Sequence, residues 1–238
     1  MSVPVHVIGR EKLTELFSQL LRAKARGWLS YVNVHAINLA QEIPWFKKYL
    51  QSSLVAYCDG EGVRLGARIL GHRLPKRVTM IDWLEDVCAV AAQNGSRVFF
   101  LGATDTVIEK MRTVLLRRYP TLAVAGMRNG YFSMHEIPTV VRHISDAEPD
   151  LLIVGMGMPL QERVILEMSG YLPNILILNA GSCFDFVAGT KRRCPAWMGN
   201  HGLEWLFRLM LEPRRLWRRY LIGNPMFVIR VLQSRFLK

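Results

Sequence analysis

The sequence predicts an α/β protein with a Rossmann-like, mostly parallel sheet, helices on both faces and a basic helical C-terminal appendage. Short apolar runs alternate with segments of helical periodicity as far as Gly181, and the chain then becomes helical and basic. Its 238 residues suit one main core, and the 50% of apolar residues argue against disorder. We therefore predict a core over 1–198 and an appendage over 199–238.

Six apolar runs, each bounded by Gly, Asp, Pro or Asn, predict the strands. In chain order they cover 29–34, 54–57, 97–101, 122–125, 151–154 and 175–178. Strands that alternate with helices form parallel sheets, which bind ligands at the carboxyl ends of their strands. The candidate site residues are therefore sought directly after each strand.

Helical spacing of apolar residues predicts the connecting helices. They cover 41–51, 62–71, 82–93, 106–119, 136–147 and 161–169, and Asp105 is the predicted N-cap of the fourth. Two more helices are predicted after Gly202, and the second begins at Pro213 because proline suits the first helical position.

The net charge of +12 is concentrated in the C-terminal segment. Residues 191–238 hold eleven Lys or Arg against two Glu, so they contribute +9. The predicted helix after Pro213 has arginines at Arg214, Arg215, Arg218 and Arg219 and apolar side chains at Leu216, Trp217, Tyr220 and Leu221. Such a basic amphipathic helix can lie in a lipid interface. The alternative is a helix that packs on its own domain and leaves its basic face in solvent.

Several classes of protein are excluded by pattern. No apolar run reaches the roughly 20 residues that a spanning helix needs, and charges at 10–12 interrupt any signal peptide, which predicts a cytoplasmic protein. The four cysteines form no CxxC pair, so a zinc site or a disulfide scaffold is not expected. Nucleic acid is not an expected partner, because no recognition-helix or aromatic-basic strand motif accompanies the charge.

Polar residues follow the first two predicted strands. Asp59 lies in the run CDGEGV (58–63), where two glycines let the backbone approach a ligand and a carboxylate could serve as a general base. Alternatively, Asp59 caps the following helix, and both interpretations stay open. Asn33 and His35 end the first strand, and we treat them as further catalytic candidates, although a lone histidine is more often structural.

The fifth strand leads into a glycine-containing turn. Gly155 and Gly157 resemble a nucleotide-binding turn, where helix amides meet phosphate oxygens, but the full GxGxxG fingerprint is absent. Gln161 and Glu162 fall in the first turn of the next helix, where they either contact a ligand or complement the helix dipole. No DxD pair and no P-loop is present, so no metal site is predicted.

A set of ordered motifs resembles a known family. They are CDGEGV (58–63), FFLGA (99–103), GYF (130–132), PDLLIVGMGMPLQE (149–162), FDFVAG (184–189), RCP (193–195), GLEWLFRL (202–209) and EPRR (212–215). Together they resemble the bacterial WecG/TagA/CpsF glycosyltransferases, glycosyltransferase family 26. The resemblance covers nearly the whole chain in order.

The resemblance implies an inverting enzyme that transfers a hexose from a UDP-sugar to an undecaprenyl-diphosphate-linked sugar, without a metal or cofactor. It implies that Asp59 is the catalytic base, that Arg77 lies near the acceptor, and that Gln161, with Glu162 and Asp185, contributes to binding. It also implies that the appendage engages the inner face of the cell membrane and the lipid diphosphate. The residues expected there are Arg193, Arg214, Arg215, Trp217, Arg218 and Arg219.

Some motif positions depart from the family pattern. Asn33-Val34-His35 stands where many members have Thr-x-Asn, and Leu160 replaces a lysine. The donor therefore stays open among UDP-glucose, UDP-N-acetylmannosamine and its uronic acid, and so does a homo-oligomeric state. A second hypothesis keeps a catalytically degenerate module that binds a nucleotide or a polyanion.

Overall fold

Six strands form one sheet in the order β2-β1-β6-β5-β3-β4, and every adjacent pair is parallel. The computed structural model describes residues 3–172 and 175–236, so residues 237 and 238 of the predicted appendage lie outside it. The strands are β1 (Gly27–Val32), β2 (Val55–Cys58), β3 (Arg97–Gly102), β4 (Ala123–Arg128), β5 (Leu151–Gly155) and β6 (Leu176–Asn179). The predicted α/β class with a parallel sheet is confirmed.

Thirteen α-helices surround the sheet in the described residues. They are α1 (Arg10–Arg22), α2 (Val34–Glu42), α3 (Pro44–Gln51), α4 (Glu61–Ile69), α5 (Met80–Asn94), α6 (Asp105–Arg118), α7 (Ile137–Asp146), α8 (Leu160–Ser169), α9 (Cys183–Val187), α10 (Ala196–Asn200), α11 (Glu204–Leu211), α12 (Pro213–Trp217) and α13 (Gly223–Phe236). A short 3-10 turn at Met134–Glu136 precedes α7, and a π turn at Arg218–Ile222 joins α12 to α13.

The helices differ from the prediction at several places, and α9 and α10 lie where no helix was predicted. α1 was not predicted, although its buried residues Leu13, Phe17 and Leu21 recur at helical spacing. The single helix predicted over 41–51 is two helices, because Pro44 disfavours helical geometry at Ile43, whose φ is −122°. Thr104, not Asp105, caps α6: its side chain accepts a hydrogen bond from the backbone N–H of Val107.

Two apolar clusters cover the two faces of the sheet. One lies under α1, α5, α6 and α9 and centres on the fully buried Trp83, whose ring packs edge-on against Phe17 and Tyr57. The other lies under α2, α3, α7 and α8 and also includes Phe227 and Val231 of α13. The last helix, α13, is thus part of the packed core.

Polar contacts also hold the C-terminal helices to the sheet domain. The Asn38 side chain of α2 donates to the Gly223 carbonyl at 2.7 Å. Arg230 of α13 donates to the Asn38 side-chain oxygen at 2.8 Å and to Glu42 at 2.9 Å. α12 begins at Pro213, as predicted. The contacts of Asn38 and Glu42 hold α13 against α2, the helix that follows β1.

The strand order reverses between β3 and β5. The chain leaves β3 toward the β4 edge, whereas it leaves β5 toward β6 and the opposite side of the sheet. In open α/β sheets, the crevice at such a reversal is a common ligand site. Gly102 and Gly155 face each other there, and a Cβ on Gly102 would lie 2.2 Å from the Gly155 carbonyl oxygen. The close approach of these two strand ends therefore requires glycine.

Candidate active site

A cavity of about 800 Å³ lies between the carboxyl ends of β1 and β2 and the C-terminal helices. Asn33, His35 and Asp59, the predicted catalytic residues, all line it. Arg77 and Arg219, predicted as binding residues, also line it. The cavity therefore brings together residues from the first third of the chain and from its C-terminal segment.

Asp59 directly follows β2 and faces the cavity. Its backbone N–H donates to the Val32 carbonyl at 2.9 Å, which continues the pairing of β1 with β2 and brings Asn33 beside it. Gly60 is the N-cap residue of α4, and no side chain caps that helix. Asp59 is therefore not a helix cap, and its carboxyl group lies at the cavity wall.

The surroundings of Asp59 favour its protonated form. Burial, helped by the negative charge of Glu204, raises the pKa of Asp59 to about 7, against the opposing effects of Arg208, Arg77 and a hydrogen bond from Asn33. A general base works best when its pKa lies near the pH at which the enzyme operates. Asp59 has this property at neutral pH.

Two arginines and one glutamate form a bridged group beside Asp59. Arg77 Nη1 donates to Glu204 Oε2 at 2.8 Å, and Arg208 Nη2 lies 2.6 Å from Glu204 Oε1. Burial opposes ionisation of Glu204, but the two guanidinium groups outweigh it and hold its pKa below the usual range. The group therefore places two permanent positive charges and one negative charge at the cavity wall.

His35 lies in the first turn of α2, and its imidazole makes no hydrogen bond to the described residues. Burial, helped by the nearby charge of Arg219, lowers the pKa of His35 to about 4. Its imidazole is therefore neutral at physiological pH, so one ring nitrogen can donate a hydrogen bond to a ligand and the other can accept one. So low a pKa makes it a weak base, which favours Asp59 over His35 as the proton acceptor.

Gln161 and Glu162 lie in a buried polar network behind the cavity. Gln161 Nε2 donates to the Tyr31 hydroxyl at 3.1 Å and to Glu162 Oε1 at 2.7 Å, and its Oε1 accepts from the Gly181 N–H at 2.9 Å. Both side chains are almost fully buried, and neither lines the cavity. They begin α8 as predicted, but the protein uses the Gln161 amide to join α8 to the end of β6.

The predicted nucleotide-binding turn lies at the reversal of strand order, apart from the cavity. Gly157 has φ +82°, and a Cβ there would meet nothing within 4 Å, so its surface is open. A Cβ on Gly155 would lie 2.7 Å from the Phe184 ring, so this glycine is required for packing. Neighbouring parallel strands lie about 4.8 Å apart, which puts the β5 and β2 ends roughly 14 Å from each other.

The remaining predicted residues lie outside the cavity lining. Asp185 of α9 lies 3.9 Å from Lys191 Nζ, and Arg193 donates to Asp82 at 2.8 Å. Arg214, Arg215 and Arg218 are exposed on the C-terminal helices, beside the exposed rings and aliphatic chains of Trp217 and Leu221. Leu216 and Tyr220 are buried instead. The basic helix therefore packs on its own domain and still leaves apolar side chains in solvent.

Comparison with known proteins identifies the family. A model described as "Glycosyl transferase WecG/TagA/CpsF family" matches residues 1–238. The protein belongs to this family. A Bacillus subtilis N-acetylglucosaminyldiphosphoundecaprenol N-acetyl-beta-D-mannosaminyltransferase is 32% identical over 185 residues, which are 78% of this chain and 71% of the relative. A Staphylococcus aureus protein of the same name is 28% identical over 203 residues, which are 85% and 78% of the two chains.

Within the WecG/TagA/CpsF family pattern, the two departures lie in different environments. His35 lines the cavity, where it can contact a ligand, whereas Leu160 is 47% exposed at the start of α8.

In the described residues, no helix is long and apolar enough to cross a membrane, and no three His, Cys, Asp or Glu side chains cluster as metal ligands would.

Sequence reasoning missed Glu204 and Arg208 as site residues of this WecG/TagA/CpsF family member. Both lie in the motif GLEWLFRL, but no role was predicted for either side chain. The sequence did contain an indication of their importance, because an acidic and a basic residue at i, i+4 spacing interrupt the otherwise apolar helix α11. The pattern alone could not show that this pair faces Asp59.

Proposed function

We propose that the protein is an inverting glycosyltransferase that moves a hexose from a UDP-sugar to a sugar on undecaprenyl diphosphate. The main support is Asp59, whose carboxyl group faces a cavity rich in arginine and whose pKa is about 7. The names of the two relatives describe transfer of N-acetylmannosamine to N-acetylglucosaminyldiphosphoundecaprenol. UDP-N-acetylmannosamine is therefore the first donor to test, before UDP-glucose and the uronic acid.

In this mechanism, Asp59 takes the proton of the acceptor hydroxyl as its oxygen attacks the anomeric carbon. The new C–O bond forms on the face opposite the departing UDP, so the configuration inverts. UDP leaves with the electron pair of the broken bond, and donors near the reaction centre stabilise its charge. The candidates near Asp59 are the arginines that line the cavity.

The lining of the cavity suits an acceptor with a charged head and an apolar tail. Arg77, Arg208 and Arg219 supply guanidinium groups, each of which can donate two parallel hydrogen bonds to the oxygens of a phosphate. Leu65 and Val228 of the same cavity are 56% and 45% exposed, so an apolar wall borders the charged end. A diphosphate attached to a polyprenyl chain has this combination of properties.

The deciding experiment incubates the full chain with radiolabelled UDP-sugars and a lipid-diphosphate-sugar acceptor. Transfer from one donor, with inverted anomeric configuration in the product, is the expected result. If UDP binds but no donor supports transfer, the chain is instead a nucleotide-binding module without catalytic activity.

Chelation should leave the transfer rate unchanged. Arginine side chains remain charged at any physiological pH, and six of them line the cavity, so the charge of the leaving diphosphate has protein partners. The measurement compares initial rates with and without EDTA at fixed donor concentration. Loss of activity with EDTA, together with recovery on adding magnesium or manganese, would contradict the metal-independent mechanism.

We also propose peripheral binding to the inner face of the cell membrane through the exposed arginines. Each basic residue near an anionic leaflet contributes about 1 kcal/mol, so changing Arg214, Arg215 and Arg218 to Gln should weaken binding to anionic liposomes roughly a hundredfold at low salt. The matched control changes three exposed arginines of α6 to Gln. These are Arg112, Arg117 and Arg118. Equal liposome binding by both triple variants would rule out this membrane surface.

A further inference from the structure

Glu204 occupies an unusual position for a carboxylate in a site built to bind phosphates. Each of its two oxygens contacts a different guanidinium group, Arg77 at 2.8 Å and Arg208 at 2.6 Å. Arg77 precedes α5 in the sheet domain, whereas Arg208 belongs to α11, and their side chains are about a fifth to a third exposed. Glu204 therefore joins a charge of the sheet domain to a charge of the C-terminal helices.

We propose that Glu204 is a positioning residue for the transfer reaction, which holds Arg77 and Arg208 beside Asp59 and offsets their charge so that Asp59 can accept a proton. This inference rests on the proposed function, in which Asp59 is the base. Without Glu204, two uncompensated guanidinium groups would stabilise the Asp59 carboxylate and make it a weaker base. With Glu204, the group formed by Arg77, Arg208 and Glu204 carries a net charge of +1.

The charged and polar groups around Asp59 come from several elements. They are Glu204 and Arg208 from α11, Arg77 from the segment before α5, Asn33 and His35 from the start of α2, Glu61 and Arg64 from α4, Arg219 from the π turn, and Tyr31 and Tyr57 from β1 and β2. Arg68, His72, Arg73 and His201 also line the cavity, but they are not among the groups with the largest effects on the pKa of Asp59. Of the charges that act on Asp59, Glu204 has the largest effect, and Arg208 and Arg77 follow. Glu204 is the member of the group that opposes both arginines.

The test measures kcat/KM against pH, because its acid limb reports the pKa of the base in the free enzyme. The wild-type limb is expected near pH 7, where the pKa of Asp59 lies. Glu204→Gln removes the negative charge and keeps the shape, so the limb should move about one unit toward acid. At a pH above the acid limbs of both the wild type and the variant, kcat/KM of the variant should be severalfold lower, since a weaker base accepts the proton less readily.

A second variant moves the same limb in the opposite direction. Arg77→Gln removes a positive charge, so the limb should shift above pH 7, an outcome that simple structural damage does not produce. The control is Glu85→Gln. It removes a carboxylate of α5 that forms an exposed ion pair with Arg118 of α6, and it should leave the acid limb in place. The Arg77 variant also tests the inference should Glu204→Gln fail to fold.

Limbs that stay in place in both variants, or that move in the same direction, would overturn the role of Glu204. The proposed function would survive that result if Asp59→Asn still abolished transfer. Retained turnover in Asp59→Asn would instead remove Asp59 as the base, so the two failures are distinguishable.

Discussion

Asp59→Asn should lower the rate of sugar transfer a hundredfold or more while the protein stays folded. The amide keeps the size of the carboxyl group but cannot take the acceptor proton, and general-base catalysis contributes about 10² to 10⁴ in rate. Donor binding should change little, because Asp59 acts on the acceptor. The measurement is the single-turnover rate with saturating UDP-sugar and lipid-linked acceptor. Asp146→Asn, at the end of α7, provides a control of the same chemistry outside the cavity.

The same variant separates lost chemistry from lost folding. The pKa of Asp59 is about 7 in the folded protein, above its ordinary value near 4, so the folded state binds more protons between these two pH values. Ionisation of Asp59 therefore destabilises the wild-type protein as pH rises toward 7. Asp59→Asn lacks this cost, and its melting temperature at pH 8 should equal or exceed that of the wild type. A folded variant with near-full turnover would show that another group is the base.

Phe227→Ala should destabilise the protein by about 3 kcal/mol, because Phe-to-Ala changes in cores typically cost 3 to 5 kcal/mol. Phe227 is 5% exposed and packs against α4, where a Cβ on Gly66 would lie 2.6 Å from its ring. It also lines the cavity, so transfer to the lipid-linked acceptor should fall along with stability. Denaturant unfolding gives the free energy, and the transfer assay gives the rate.

Met226→Ala is the matched control, since Met226 precedes Phe227 on α13 and is 38% exposed. Its free energy of unfolding should stay within about 0.5 kcal/mol of the wild-type value, as for most surface substitutions. If both variants had the same stability, α13 would not be part of the core.

The strands could be predicted because each one is a short apolar run between turn residues. β5, for example, is buried along its whole length, so its sequence is continuously apolar. The boundary between α2 and α3 could be predicted less well, because Pro44 was treated as part of one helix. Its effect on Ile43 is local and was available in the sequence.

The site residues that directly follow the strands of the sheet could be predicted from the sequence. Asp59 and Asn33 follow neighbouring parallel strands, and the carboxyl ends of such strands meet at one edge. Glu204 could not be placed beside them, because it is 127 residues from its partner Arg77 and only the packing of α11 over the sheet brings them together. Gln161 was predicted either to contact a ligand or to complement the helix dipole, and its side-chain amide makes hydrogen bonds to Tyr31, Glu162 and Gly181 that the sequence did not indicate.

The contribution of α11 to the cavity has a consequence for the order of synthesis. Ribosomes make the sheet before they make α11, so a nascent chain acquires Asp59 and Arg77 well before Glu204 and Arg208. During that interval, the proposed base lies at the end of β2 without Glu204 and Arg208. The cavity is therefore completed only when α11 packs against the sheet domain and its glutamate pairs with Arg77. A chain interrupted by an early stop codon would lack half of the reaction centre even if its sheet were complete.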